Sequence, residues 1–217
     1  MPEILSHVSF GDKVYRKLAN RLPLSKVDYI SGNLIPDLTN DKDVAHYYVP
    51  TGIKGVLIPD IEKAKKDLLV YDNSVKLGMF SHIYLDYRFI KDFLIPSFNW
   101  DTENDIITST DNDTVWSTSS FFSEKGLYGS YTKSNKMMLH SQRISLITIA
   151  IIPETLPDSG LSTFDSRREK KWIAELREYL SLDPNTYQGD MLDISALWDF
   201  IDDAAESFIS CYFPKWL

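Results

Sequence analysis

The stretch "GMFSHIYLDYRF", residues 78–89, sets His82 and Asp86 four positions apart in mainly apolar surroundings. The pattern predicts a helix from about Ser74 to Ile95, stopped by Pro96. At about 100° per residue, Val75, Met79, His82, Asp86, Phe89 and Phe93 share one stripe. His82 and Asp86 sit in the middle of that stripe, so both are expected to face the interior. An ionised carboxylate in a dry interior needs a cation or strong donors. Side chains at i and i+4 turn toward a common point. A divalent metal suits both, because it takes a neutral imidazole and an ionised carboxylate. A hydrogen-bonded pair that only orients two helices has the same spacing.

A tight metal site needs further ligands from elsewhere. The chain has four histidines: His7, His46, His82 and His140. His7 falls on the apolar face of an expected first helix, together with Ile4, Val8, Gly11, Val14 and Leu18. Asp37 follows Pro36 in "GNLIPDL", where a turn or N-cap aspartate is the alternative. His46 lies in "DVAHYY", where an incidental surface position is the alternative. The candidate ligands, in chain order, are His7, Asp37, His46, His82 and Asp86. Nitrogen and oxygen donors without sulfur suit zinc, and manganese or iron less exclusively.

Period-3.6 patterns dominate the rest of the chain. "LPLSKVDYISGNLIPDLTNDKD" reads as a short helix ending in a Gly/Pro-broken loop. "IEKAKKDLLVY" reads as an exposed helix, followed by a turn at Asp72–Asn73. "NWDTENDIITSTDNDTVWSTSS" reads as a long irregular loop around 100–120. Helix is expected in part of residues 121–146, in "SLITIAII", in "STFDSRREKKWIAELREYL" and in "DISALWDFIDDAAESFISCYF". The fold expected is all-α, a helical bundle in a single domain over residues 1–217.

Composition bounds the function. With 217 residues and 43% hydrophobic content, the chain can bury a sizeable core. A net charge of −8 disfavours a stable nucleic-acid complex, although it permits a small anionic substrate held at a metal. Cys211 is the only cysteine, which excludes an intrachain disulfide and a cysteine zinc finger. The start has no signal-peptide pattern, and no apolar run is long enough to span a bilayer, so the chain is expected to be cytoplasmic. There is no Gly-x-Ser-x-Gly elbow, no P-loop and no dinucleotide fingerprint. Cys211 falls in an expected apolar helix, a poor setting for a nucleophile.

The five candidate ligands, with "MPEILSHVSFG", "SGNLIPDL", "AHYY" and "GMFSHIYLD" around them, resemble the zinc-dependent phospholipase C family. That family shares its helical fold with the single-strand-specific fungal nucleases. The resemblance covers about the first half of the chain. It implies a cluster of up to three zinc ions. By its pattern Asp37, His46, His82 and Asp86 bind one ion. His7 and Asp86 bind a neighbour, with Asp86 bridging. In secreted members a processed N-terminal tryptophan completes the second site; Met1 stands here, so that ligand is expected to be absent or replaced by water. At the third site the pattern asks for a histidine where Asp92 stands, and for His-x-x-x-Glu where His140 is followed by Ile144. One or two ions are therefore expected rather than three. Asp92 remains a possible ligand and His140 a structural residue.

The activity so implied is hydrolysis of phosphate esters. Hydroxide generated at the metal attacks phosphorus in line, two ions about 3.5–4 Å apart orienting the phosphate. Asp37 is the candidate to position that water or accept its proton. The expected substrate is a small phosphate ester or a phospholipid headgroup. The alternatives are a nucleotide or single-strand nucleic-acid phosphodiesterase, and a non-catalytic helical protein that a metal stabilises.

Overall fold

A computed structural model describes residues 4–111, 114–141, 146–161, 169–171, 173–174 and 191–216. Helix α1 spans Ile4–Leu18 and α2 spans Lys26–Gly32; a 3₁₀ turn at Ile35–Leu38 follows. Helix α3 is the single turn Lys42–Ala45, and α4 is Ile61–Leu68. The Asp72–Asn73 turn delivers the chain into α5, Ser74–Arg88, which the Asn73 side chain caps by accepting from the Lys76 N–H at 2.9 Å. Asp41 and Asp60 cap α3 and α4 in the same way.

Helix α5 is the axis of the fold. Every residue from Leu77 to Asp86 is buried, so it has no solvent face along those turns. The stripe expected from its sequence is thus only one side of a helix that is wrapped all round. Helices α1, α2 and α4 pack against it, as does α9, Ile194–Tyr212. The α2–α5 crossing is close enough to need glycine on both sides. A Cβ at Gly78 would lie 2.1 Å from the Tyr29 carbonyl oxygen, and one at Gly32 would lie 2.2 Å from that of Val75. The α-helix ends at Arg88, earlier than the expected Ile95. A π-helical turn, Phe89–Leu94, carries the chain on toward Pro96.

Helix dominates, but the chain is not all-α. Strands β1 (Tyr48–Pro50) and β2 (Leu57–Pro59) form a two-stranded antiparallel sheet. The expected irregular loop around 100–120 is largely a second, three-stranded antiparallel sheet. It is built from β3 (Phe98–Asp101), β4 (Ile106–Ser109) and β5 (Val115–Trp116). The polar residues that suggested a loop make the β3–β4 turn. Asp101 accepts from the Asn104 backbone N–H at 3.2 Å and from its side-chain amide at 2.8 Å, and Asp105 takes φ +56°. Trp100, Ile107 and Trp116 are register partners on one face. That face packs on Phe121 of α6 (Thr118–Phe121), with Phe98–Phe121 ring centroids 4.8 Å apart.

Helix α7 runs over Leu127–His140, and "SLITIAII" contains helix α8, Leu146–Ala150. The expected helix over "STFDSRREKKWIAELREYL" lies mostly outside the described residues. Buried apolar side chains from most of these elements join in one cluster, against which Tyr48, Ile58 and Trp116 of the short strands pack. Among the described residues no helix is long and apolar enough to cross a membrane. Cys211 lies on α9, as expected, and faces solvent.

Candidate metal centre

Five side chains from four elements meet beside α5. His82 and Asp86 project from one face of that helix. His7 comes from α1, Asp37 from the 3₁₀ turn, and His46 from the position that ends α3. The Gly32–Gly78 contact sets the spacing, because it presses the end of α2 onto α5 one turn before His82. His7, His46, His82 and Asp86 are fully buried. The Asp37 side chain retains 19% of its exposure, so the cluster meets solvent there.

The hydrogen bonds fix the ring nitrogens. His82 Nδ1 lies 2.8 Å from the Asn33 carbonyl oxygen, and His46 Nδ1 lies 2.8 Å from that of Lys42. A carbonyl only accepts, so each Nδ1 carries the proton and each neutral ring presents a bare Nε2. Those two Nε2 atoms face each other at 3.2 Å. Asp86 Oδ2 lies 3.4 Å from the first and 3.6 Å from the second. Asp37 Oδ1 lies 3.6 Å from His46 Nε2. Lone pairs and carboxylate oxygens at such separations repel unless a proton or a metal cation lies among them. Tetrahedral zinc, with bonds of about 2.0–2.1 Å, separates its donors by roughly 3.3–3.4 Å. The His46–His82–Asp86 triangle matches one face of such a tetrahedron.

On the other side of Asp86, Oδ1 lies 3.3 Å from His7 Nε2. Neither His7 nitrogen and neither Asp86 oxygen has a hydrogen-bond partner, although all four atoms are buried. Leaving buried polar atoms unsatisfied is costly, a cost that a bound cation could relieve. The His7 ring stacks on His82, with centroids 3.7 Å apart and planes 8° apart. The donor atoms fall into two sets that could each hold an ion: His46, His82 and Asp86, and His7, Asp37 and His82.

The electrostatics keep both carboxylates ionised. Burial pushes the Asp86 carboxyl up, but the adjacent His7 and His82 rings outweigh it and hold the group far below the usual carboxylate range. Asp37 is also opposed by burial, yet the nearby His46 and His82 rings and the Lys42 ammonium hold it well below its ordinary value. Burial, reinforced by the His82 charge, lowers His7 and favours its neutral form. Burial works to lower His82 as well, but Asp86 and Asp37 raise it on balance.

Three contributors are not evident from the side-chain pattern. Asn33 and Lys42 act through backbone carbonyls, fixing the tautomers of His82 and His46 in the way that outer groups orient metal ligands. Tyr48 lies flat on the His46 ring, with centroids 5.0 Å apart and planes 9° apart. The i, i+4 spacing of Lys42 and His46 at a helix end is the one clue to any of them.

Asp92 is not at the cluster. It pairs with Arg88, which also reaches Asp203 at 3.2 Å. The His140 side chain and Met1 lie outside the described residues. Asp202 and Asp203 diverge on α9, the first pairing with Lys13 and the second with Arg88. Tyr131 is buried, consistent with packing, whereas Tyr128 is 44% exposed. No protein-family model, curated protein or solved structure matches the chain.

Proposed function

We propose that this chain is a zinc-dependent hydrolase of phosphate esters, of the phospholipase C type. One observation carries the reading: two buried imidazoles, each held in the Nδ1–H tautomer, point bare Nε2 atoms at each other beside an ionised carboxylate. His46, His82 and Asp86 would hold one ion, with Asp37 at its fourth side. His7 and the second oxygen of Asp86 would hold another. A zinc ion held there would supply Lewis acidity, lowering the pKa of a water molecule to about 7 and offsetting charge on a phosphoryl oxygen.

The remaining work falls to the protein. Asp37 is the one carboxylate of the cluster that reaches solvent, and it would orient a water molecule or accept its proton. The Asn33 and Lys42 carbonyls hold the rings against rotation. Tyr48 covers one face of His46 and keeps water from it.

A second reading has its own support. Four of the five side chains are wholly buried, as in structural sites that four protein ligands close. Protein purified without added metal or a histidine tag is to be assayed for zinc, then for turnover of bis(p-nitrophenyl) phosphate. Turnover lost to chelator and restored by zinc supports the hydrolase. Zinc at stoichiometric level without turnover supports the structural reading. A protein that takes up no zinc, manganese or iron overturns both.

A further inference from the structure

We propose that the Lys42 ammonium is a built-in competitor of the metal: it holds back one ligand oxygen and is expelled when an ion binds. The inference rests on the reading of the cluster as a metal centre, whatever chemistry is done there. Lys42 Nζ lies 3.1 Å from Asp37 Oδ1, the oxygen that also lies 3.6 Å from His46 Nε2. A cation held by His46, His82 and Asp86 would draw on that oxygen from one side while the ammonium draws on it from the other. Both are positive, so each weakens the other's hold.

The backbone and the side chain of Lys42 work in opposite directions. Its carbonyl oxygen accepts two hydrogen bonds from His46, from the backbone N–H at 2.9 Å and from Nδ1 at 2.8 Å. That tie orients a ligand ring and favours metal binding. Asp41 accepts from the Val44 N–H at 3.1 Å and caps the same helical turn, which anchors the Lys42 backbone beside the ring. The ammonium, on a flexible four-carbon stem and 46% exposed, can leave for solvent without moving that backbone. Replacing the side chain therefore removes the competitor and keeps the carbonyl that orients His46.

Burial sets the size of the competition. An exposed ion pair is worth about 1.4- to 5-fold in an equilibrium constant, and a charge-assisted hydrogen bond about tenfold or more. Lys42 is largely in solvent, whereas Asp37 keeps only 19% of its exposure, so the pair falls between those limits, at about three- to tenfold in metal affinity. The ion is thereby held more loosely than four unopposed protein donors would hold it, and Asp37 keeps part of its charge for the solvent edge.

The test measures zinc affinity by chelator competition in the full-length protein. Lys42→Met is expected to bind zinc about three- to tenfold more tightly than wild type, and Lys42→Arg to stay within about twofold of it. With Asp37→Ala in place the contested oxygen is gone, and adding Lys42→Met is then expected to change affinity by about twofold or less. Wild-type protein gives a reading that needs no substitution. Acetic anhydride labelling of Lys42, read by mass spectrometry against Lys65, a lysine of 43% exposure paired with Glu62, is expected to rise when zinc is added. Zinc affinity in Lys42→Met no tighter than wild type, the same gain in the Asp37→Ala background, or Lys42 labelling that zinc leaves unchanged or lowers overturns the proposal and leaves the metal centre standing. Wild-type protein that takes up no zinc removes the centre and the proposal with it.

Discussion

Replacing Gly78 by alanine tests the link between helix packing and the metal centre. The added Cβ would sit 2.1 Å from the Tyr29 carbonyl oxygen and 2.9 Å from the Asn33 nitrogen, where ordinary contact begins at 3.4 Å. Relief requires α2 to withdraw by up to 3.4 − 2.1 = 1.3 Å. Both contacts are backbone, so no side chain can rotate out of the way. Overpacking of this kind costs about 1–3 kcal/mol. In a chain of this size each kcal/mol lowers Tm by about 2–4 °C, so a fall of roughly 2–12 °C is expected. The same withdrawal carries the Asn33 carbonyl away from His82 Nδ1. A 2.8 Å hydrogen bond stretched by most of that shift approaches 4 Å and is lost. His82 then has no fixed tautomer, and zinc affinity is expected to fall about 10–100-fold. Thermal melts, with a chelator-competition titration of zinc, read both effects. Phe208→Leu is the control, because it weakens the core away from the cluster and should lower Tm without changing zinc affinity. Wild-type Tm and wild-type zinc affinity in Gly78→Ala would refute the reasoning.

Three other outcomes are expected. Zinc and protons compete for His82, whose metal-free pKa is raised above its ordinary 6.5, so zinc affinity should begin to fall above that pH as the medium is acidified. In the metal-free protein the sign reverses for His82: its stabilising contribution is complete at low pH and is lost as pH rises through the raised value. The Asp86 contribution is present above 3.8 and lost as pH falls toward its depressed value. Metal-free stability should therefore peak between those limits, and zinc should move the peak upward; a peak that zinc leaves in place contradicts this. Asp92→Asn should leave zinc content unchanged, because Asp92 pairs with Arg88 away from the cluster; loss of a bound ion by mass spectrometry would show otherwise. Phe121→Ala should cost about 3–5 kcal/mol, or roughly 6–20 °C in Tm, by removing the ring on which the three-stranded sheet rests. A loss under about 1 kcal/mol would mean that the sheet does not depend on it.

The parts of the centre legible in the sequence are those whose geometry is local. His82 and Asp86 must converge if residues 78–89 are helical, because one turn of helix aligns them. His7, Asp37 and His46 could be named from residue type and order, but their convergence depends on how α1 and the segment after α2 pack on α5. That packing is set by glycines whose meaning is a close approach rather than a side chain. The carbonyls of Asn33 and Lys42 leave no mark in residue type at all. The sheet over residues 98–116 was hidden for another reason. Its strands have four, four and two residues, too short for alternation to stand out, and the turn residues between them are those that read as loop. Phe98, Trp100, Ile107 and Trp116 did carry the period-two signal, but across separate strands.

The hydrolase and structural readings of the centre differ at one atom. His46, His82 and Asp86 make a three-cornered face with edges of 3.2, 3.4 and 3.6 Å, and all three side chains are closed to solvent. A fourth corner on the solvent side falls to Asp37 Oδ1, an oxygen already shared with the Lys42 ammonium. If Asp37 gives that oxygen wholly to an ion, four protein donors close the site and no water can be activated. If Lys42 keeps its claim on Asp37, the fourth position stays open to water beside a carboxylate able to take its proton. Lys42 thereby bears on coordination directly: its ammonium competes with an ion for the same Asp37 oxygen, and the balance between the two decides which reading holds.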